Sequence, residues 1–277
     1  MSQIMNQAAV TMNQLQQKLD IIGNNMANSQ TTGYKSRQAE FSSLLFNQIN
    51  NLSAAANAEG RLTPDGIRIG SGAKIGTVSN NLALGSILET GRALDAALKR
   101  ENYLFEIQMD QNGQNETYYT RDGSFFLSPV NNNQAVMLTT GDGHPVIGQD
   151  GPIVLAEGFD SIAIRENGQI VVTRGGQNAV EAQLAVVEAV RPSVLEAVGE
   201  NMFRLPDLDN LGFEMDEIIV ETGANEDMIQ GGALEQSNVD LSKQITDLMT
   251  TQRSYQFNAR TISMGDQMMG LVNQLRS

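Results

Sequence analysis

Cysteine is absent from this chain of 277 residues, so neither a disulfide framework nor a thiol nucleophile is open to it. Basic side chains are few: 18 Lys and Arg against 32 Asp and Glu give a net charge of −14. That balance argues against nucleic acid as a partner, because phosphate backbones are held by Lys and Arg. No run of about twenty apolar residues occurs, so no membrane insertion is expected. Met1 to Ala9 lacks a basic region and a continuous apolar run, so no cleavable secretory signal is expected either. Histidine is reduced to one, His144, in the turn Gly141-Asp142-Gly143-His144-Pro145. With no Cys to share ligation it reads as a solvated loop residue, not a metal ligand. No metal or organic cofactor is expected.

The positive signal lies at the two ends. Met5, Ala8, Met12, Leu15, Leu19, Ile22 and Met26 recur at spacings of three and four, and Leu241, Ile245, Leu248, Tyr255, Ala259 and Ile262 repeat that rhythm near the other terminus. Met264, Met268, Leu271 and Leu275 carry it to the end. Such a seam buries one apolar edge against another helix and leaves the other faces polar. The two helices can pair with each other or with those of further copies. Ser2 is a plausible cap for a helix reaching about Asn28, which should stop in Asn28-Ser29-Gln30-Thr31-Thr32-Gly33. The last helix is expected to start near Asn238, with Ser237 or Asn238 as cap.

Charge separates the ends from the middle. Residues 1–60 hold three basic and three acidic side chains and residues 236–277 hold four and three, so the middle carries −15. Near-neutral ends can crowd together without accumulating repulsion, while an acidic middle stays solvated. Between the helices, Phe41, Leu44, Leu45 and Ile49 suggest a short helical or irregular apolar piece, and Asn50 to Gly60 a small-residue linker. From Ile67 to about Val220 the pattern turns to strands, as in Tyr103 to Ile107, Ser161 to Ile164 and Gln169 to Val172. Gln183 to Glu188 reads as one more strand, ended by Arg191-Pro192, and Phe203 to Thr222 as strands and loops. Asn112-Gly113, Asp122-Gly123, Asp142-Gly143, Asp150-Gly151 and Asn167-Gly168 supply turn dipeptides. The fold class is α+β: an antiparallel β-rich central domain with N- and C-terminal α-helices pairing as a coiled coil.

Catalytic patterns fail on inspection. Gly70 to Gly76 is Gly-rich, but its spacing fits neither the dinucleotide nor the P-loop pattern. Asp207, Asp209 and Gly212 open like a calcium loop, yet Leu211 and Ile218 stand at ligand positions. No Ser has an evident base and no spaced carboxylate pair is identifiable, so the chain reads as a non-enzyme.

Asn25-Met26-Ala27-Asn28-Ser29-Gln30-Thr31-Thr32-Gly33-Tyr34-Lys35 resembles the signature of the bacterial flagellar rod and hook protein family, in which Ala-Asn and a few polar residues precede Thr, one residue and Gly-Tyr-Lys. Leu234-Glu235-Gln236-Ser237-Asn238 and Thr251-Gln252-Arg253-Ser254-Tyr255 are similar to the C-terminal motif and helix of that family. Thr90 to Leu98 and Tyr119 to Phe125 resemble its β-domain. Lys99 to Tyr103 and Val130 to Asn133 depart from the family's Gly-rich turn and its Asp-Gly hairpin. The matches keep the family's order over nearly the whole chain, and the modest interior looks more like a rod protein, distal or proximal, than a hook protein.

The resemblance implies a subunit of the basal-body rod, the shaft carrying torque to the hook. Its implied partners are copies of itself, other rod or hook subunits, and the flagellar export apparatus. Residues 1–34 and 236–277 would form the helical assembly domain, 81–189 the outer β-rich domain, and 35–80 and 190–235 the connections. An oligomeric surface binding module with a terminal coiled coil is the competing reading, and a cell-wall hydrolase a third.

Overall fold

The computed structural model describes residues 2–43, 46–49, 67–70, 73–111, 114–130, 135–199, 201–206, 212, 214–222 and 227–276. The expected linker Asn50 to Gly60 lies outside these, as do Leu44, Leu45, Ser71, Gly72, the turn Asn112-Gly113, Asn131 to Asn133, and Asp207, Asp209 and Leu211. The chain falls into two compact units. One combines Met1–Asn24, Arg37–Ser79 and Leu241–Ser277; the other combines Asn25–Ser36 and Asn80–Asp240. The architecture is α+β, with a helix at each end and a large antiparallel β-rich body between them.

In the helical unit, α1 spans Ser2–Ala27 (26 residues) and α2 spans Leu241–Arg276 (36 residues). At about 1.5 Å per residue they measure roughly 39 and 54 Å. The α1 segment is rich in Gln, Met and Ala and free of Pro, a composition that tolerates a long helix. On α2 the hydroxyls of Thr246, Thr250, Ser254 and Thr261 each donate to the carbonyl four residues earlier. These bonds satisfy polar groups that would otherwise compete with the helix ladder. The two helices touch where Gly265 lies against Met5: a Cβ added there would stand 3.2 Å from the Met5 Cγ.

The same unit contains two strand pairs, Arg37–Ser43 with Ala73–Asn80, and Phe46–Ile49 with Ile67–Gly70. The apolar piece around Phe41 and Ile49 is therefore extended, not helical. Its partner lies outside the local window: Phe46 to Ile49 align with Gly70 to Ile67, and a pairing of that range overrides local preference.

The β-rich unit is built on a six-stranded sheet in the order Glu196–Val198, Met202–Arg204, Gln114–Thr120, Tyr103–Gln111, Val186–Ala189, Ile219–Glu221. Both faces are apolar, so alternate residues of one strand enter different cores. Tyr103, Phe105, Ile107, Tyr118 and Val186 join one cluster, with Phe105 and Phe125 in edge contact at 5.2 Å and 78°. Leu104, Tyr119, Val187, Phe203 and Ile219 join the other. Two three-stranded sheets also belong to this unit: Ser161–Ile164, Gln169–Arg174 and Gln177–Gln183, and Val154–Ala156, Ala135–Thr139 and Phe126–Val130. Two short ladders, Ala96–Leu98 with Ile229–Gly231 and Ile87–Glu89 with Ala233–Glu235, bring the lead-in to α2 onto the body.

Three local expectations are corrected. The single strand read over Gln183 to Glu188 is two, because Leu184 and Ala185 bond to Gly168 and Ile147 and carry the chain from one sheet to another. Asp122-Gly123 does not take a positive φ; instead the Asp122 carboxylate accepts the Ser124 N–H and hydroxyl. Helix α2 starts at Leu241, and Asn238 is not its cap, because its side chain is bonded into the body.

Candidate functional site

The two terminal motifs meet inside the β-rich unit, although their sequence positions are about 200 apart. Helix α1 ends in a tight turn in which Ser29 N–H donates to Met26 O and Thr31 N–H to Asn28 O. Gly33 then takes φ +68, a conformation that side chains with a Cβ resist. The left-handed residue lets the chain press against the body: a Cβ on Gly33 would lie 2.6 Å from the Arg121 carbonyl carbon. The Gly33 N–H donates to the Glu235 carbonyl at 2.9 Å. Tyr34, fully buried, donates its hydroxyl to Asn25 Oδ1 at 3.0 Å.

Beyond that turn sits a buried ionic cluster. Lys35 Nζ lies 2.6 Å from Glu235 Oε1 and Arg121 Nε lies 2.7 Å from Glu235 Oε2. The three side chains are 1 % exposed or less. Lys35 also donates to Ala83 O, the Gly85 N–H donates to Glu235 Oε1, and Arg121 Nη2 donates to Arg100 O. Among the described residues, the buried Arg121 Nη1 has no hydrogen-bond partner. One carboxylate thus serves two cations. Burial pulls the Lys35 ammonium down to about 8; the neighbouring Arg121 charge adds to that, and Glu235 and Glu101 oppose it. Burial likewise lowers Arg121, with Glu235 acting against the shift.

Asn238 closes the arrangement. Its Oδ1 accepts the Ser36 N–H at 2.8 Å, and its Nδ2 donates to Asn81 O and Ala83 O. The Asn81 N–H returns a bond to Ser36 O. Of the remaining motif residues, Asn28 is buried, Thr31, Leu234 and Ser237 are half-buried, and Ala27 is exposed. Thr31 donates its hydroxyl to Asn28 Oδ1. Sequence reasoning gave no role to Arg121, Asn25, Asn81 or Gly85. Arg121 and Asn25 lie in stretches noted for their resemblance, but nothing in one sequence pairs Arg121 with a carboxylate 114 residues away.

The seam residues are distributed as follows. On α1, Ala8 and Ile22 are buried and Met5, Met12, Leu15, Leu19 and Met26 half-buried, while Asn6, Asn13, Gln17 and Asp20 between them are exposed. On α2, Leu248, Tyr255, Ala259 and Ile262 are half-buried, and Leu241 and Ile245 are exposed. Further along, Met264, Met268, Leu271 and Leu275 are all exposed, Leu275 at 89 %. His144 is half-buried in its turn, and its backbone carbonyl accepts the Thr140 N–H.

Comparison with known proteins follows the same map. The family model described as flagella basal body rod protein matches residues 5–35, the flagellar hook protein FlgE/F/G D1 domain matches 102–172, and the flagellar basal body rod FlgEFG protein C-terminal matches 230–275. The flagellar hook-basal body complex protein FlhP of Bacillus subtilis (strain 168) is 41 % identical over 280 residues, covering 97 % of each chain. The chain belongs to the flagellar rod and hook protein family. The flagellar basal-body rod protein FlgG of Caulobacter vibrioides is 31 % identical over 99 % of this chain and all of its own. FlgG of Agrobacterium fabrum is 31 % identical over 96 % of this chain and 97 % of its own. The first and last family matches each end on one side of the ionic cluster, since Lys35 closes one and Glu235 lies near the start of the other.

Proposed function

We propose that this chain is a structural subunit of the flagellar basal-body rod. The observation that carries the reading is the end-to-end likeness to FlhP and to FlgG, which leaves almost no part of either relative unmatched. The physical means is the apolar stripe Met264, Met268, Leu271 and Leu275, left open on the longer helix. An open stripe of this kind is most readily covered by a helix of another copy.

In this reading the terminal helices, 1–34 and 236–277, form the assembly domain and pair as a coiled coil within the stack. Residues 81–189 form the outer β-rich domain, and 35–80 and 190–235 connect the two. The seam residues Met5 to Met26 and Leu241 to Ile262 are the contact edges. Contacts that repeat head to tail without closing build a helical tube, and near-neutral ends allow it at high density. Partners are copies of this chain and other rod or hook subunits. The chain reaches them through the flagellar export apparatus and carries torque as a mechanical element.

Electron microscopy of basal bodies from cells lacking the protein tests the reading directly. A shaft truncated at a fixed level supports it, and complete rods of normal length refute it.

A further inference from the structure

The chain passes between its two units at four places, after Asn24, Ser36, Ser79 and Asp240. Inside the β-rich unit every one of these crossings is bonded to another. The Tyr34 hydroxyl holds Asn25. The Asn81 N–H donates to Ser36 O, and Asn238 reaches Ser36, Asn81 and Ala83. Lys35 also donates to Ala83. At the centre lies Glu235, which takes Lys35 on one oxygen and Arg121 on the other.

Two features make Glu235 unlike the other members. The first is order along the chain: it lies 200 residues after Lys35 and 114 after Arg121. Lys35 therefore lacks the carboxylate that it hydrogen-bonds until the lead-in to α2 has arrived, since Glu101 acts on it only through its charge. The second is charge. Two buried cations share this one carboxylate, and among the described residues Arg121 Nη1 has no partner. Removing Lys35 leaves an ordinary buried pair, whereas removing Glu235 leaves two like charges out of water.

We propose that the cluster is an order-setting clasp, in which docking of residues 25–36 onto the β-rich body is conditional on the Glu235 carboxylate. The exit of the first helix is then fixed only after the start of the last is in place. This goes beyond assembly into a rod, and it holds for a single chain in solution.

Amide hydrogen exchange on the full-length protein tests it, comparing the wild type with Glu235→Gln and Lys35→Met. The expected result for Glu235→Gln is exchange at least tenfold faster across 25–36 and 80–85, with strands 103–111 and 114–120 as protected as in the wild type. Lys35→Met should give a smaller acceleration at the same positions. Wild-type protection of 25–36 in Glu235→Gln overturns the proposal. So does loss of protection throughout the six-stranded sheet, since the cluster would then be a part of the body and not a clasp upon it. Equal or larger effects from Lys35→Met overturn the charge argument on which it rests.

Discussion

Glu235 divides its two carboxylate oxygens between Lys35, at 2.6 Å, and Arg121, at 2.7 Å. A buried carboxylate held this way is costly to lose, because the partners remain charged and unpaired. Glu235→Gln should lower unfolding free energy by about 3–5 kcal/mol in a urea titration. Lys35→Met should cost only about 1 kcal/mol, a typical value for a single substitution. A reversed ranking would contradict the two-cation account.

The pH dependence follows from Lys35, which is held at about 8 by burial and by Arg121, against the pull of Glu235 and Glu101, compared with 10.5 when free. Between these values the unfolded chain binds more protons than the folded one, so stability rises with pH. The penalty of burying a charged lysine is fully present below about pH 8 and fades as pH rises toward 10.5. The stability difference between wild type and Lys35→Met should therefore shift in favour of the wild type from pH 7 to pH 10. Urea midpoints at several pH values read this, and a flat or falling difference would contradict it.

Two glycines separate backbone strain from close approach. Gly33 and Gly91 have nearly the same φ, +68 and +70, but only Gly33 has backbone atoms of Arg121 and Asp122 where a Cβ would go. Gly91→Ala should cost about 1 kcal/mol, the conformational part alone. Gly33→Ala should cost roughly 2 kcal/mol more, since rigid backbone must move. Thermal melts of the two variants give the comparison directly, and equal melting temperatures would rule out the steric component.

Assembly and folding should separate on α2. Met268 and Leu271 are 48 % and 61 % exposed, so Met268→Asp and Leu271→Asp should leave monomer stability within about 0.5 kcal/mol. Filament formation should nonetheless be lost. Leu15→Asp and Leu248→Asp, at half-buried positions, should block filaments as well and loosen the helical unit while the β-rich body keeps its protease resistance. Sedimentation of each variant under polymerising conditions checks this. Normal filaments from the Met268 and Leu271 variants would remove the stripe from the mechanism.

The helices were legible because their signal is local and periodic: three- and four-residue spacings need no knowledge of the rest of the chain. The turn after α1 was legible for the same reason. Strands such as Phe46–Ile49 were not, since their partner Ile67–Gly70 is remote and their own residues carry no alternation. The motif segments stood out one by one, yet their joint meaning did not. Lys35, Arg121 and Glu235 are a single object only in three dimensions, and no spacing rule links charges across loops of this length. Asn238 misled by type: an Asn before a helix is a normal cap, but here its amide is taken by three backbone groups of the body, at Ser36, Asn81 and Ala83.

Because all four crossings leave the body at one root, the rest of that body is free to diverge. The stretch between Gly85 and Leu234 can lengthen, shrink or be grafted from another source, provided that Lys35, Arg121, Glu235 and Asn238 still find each other. Variation within that stretch then needs no redesign of the cluster that anchors it.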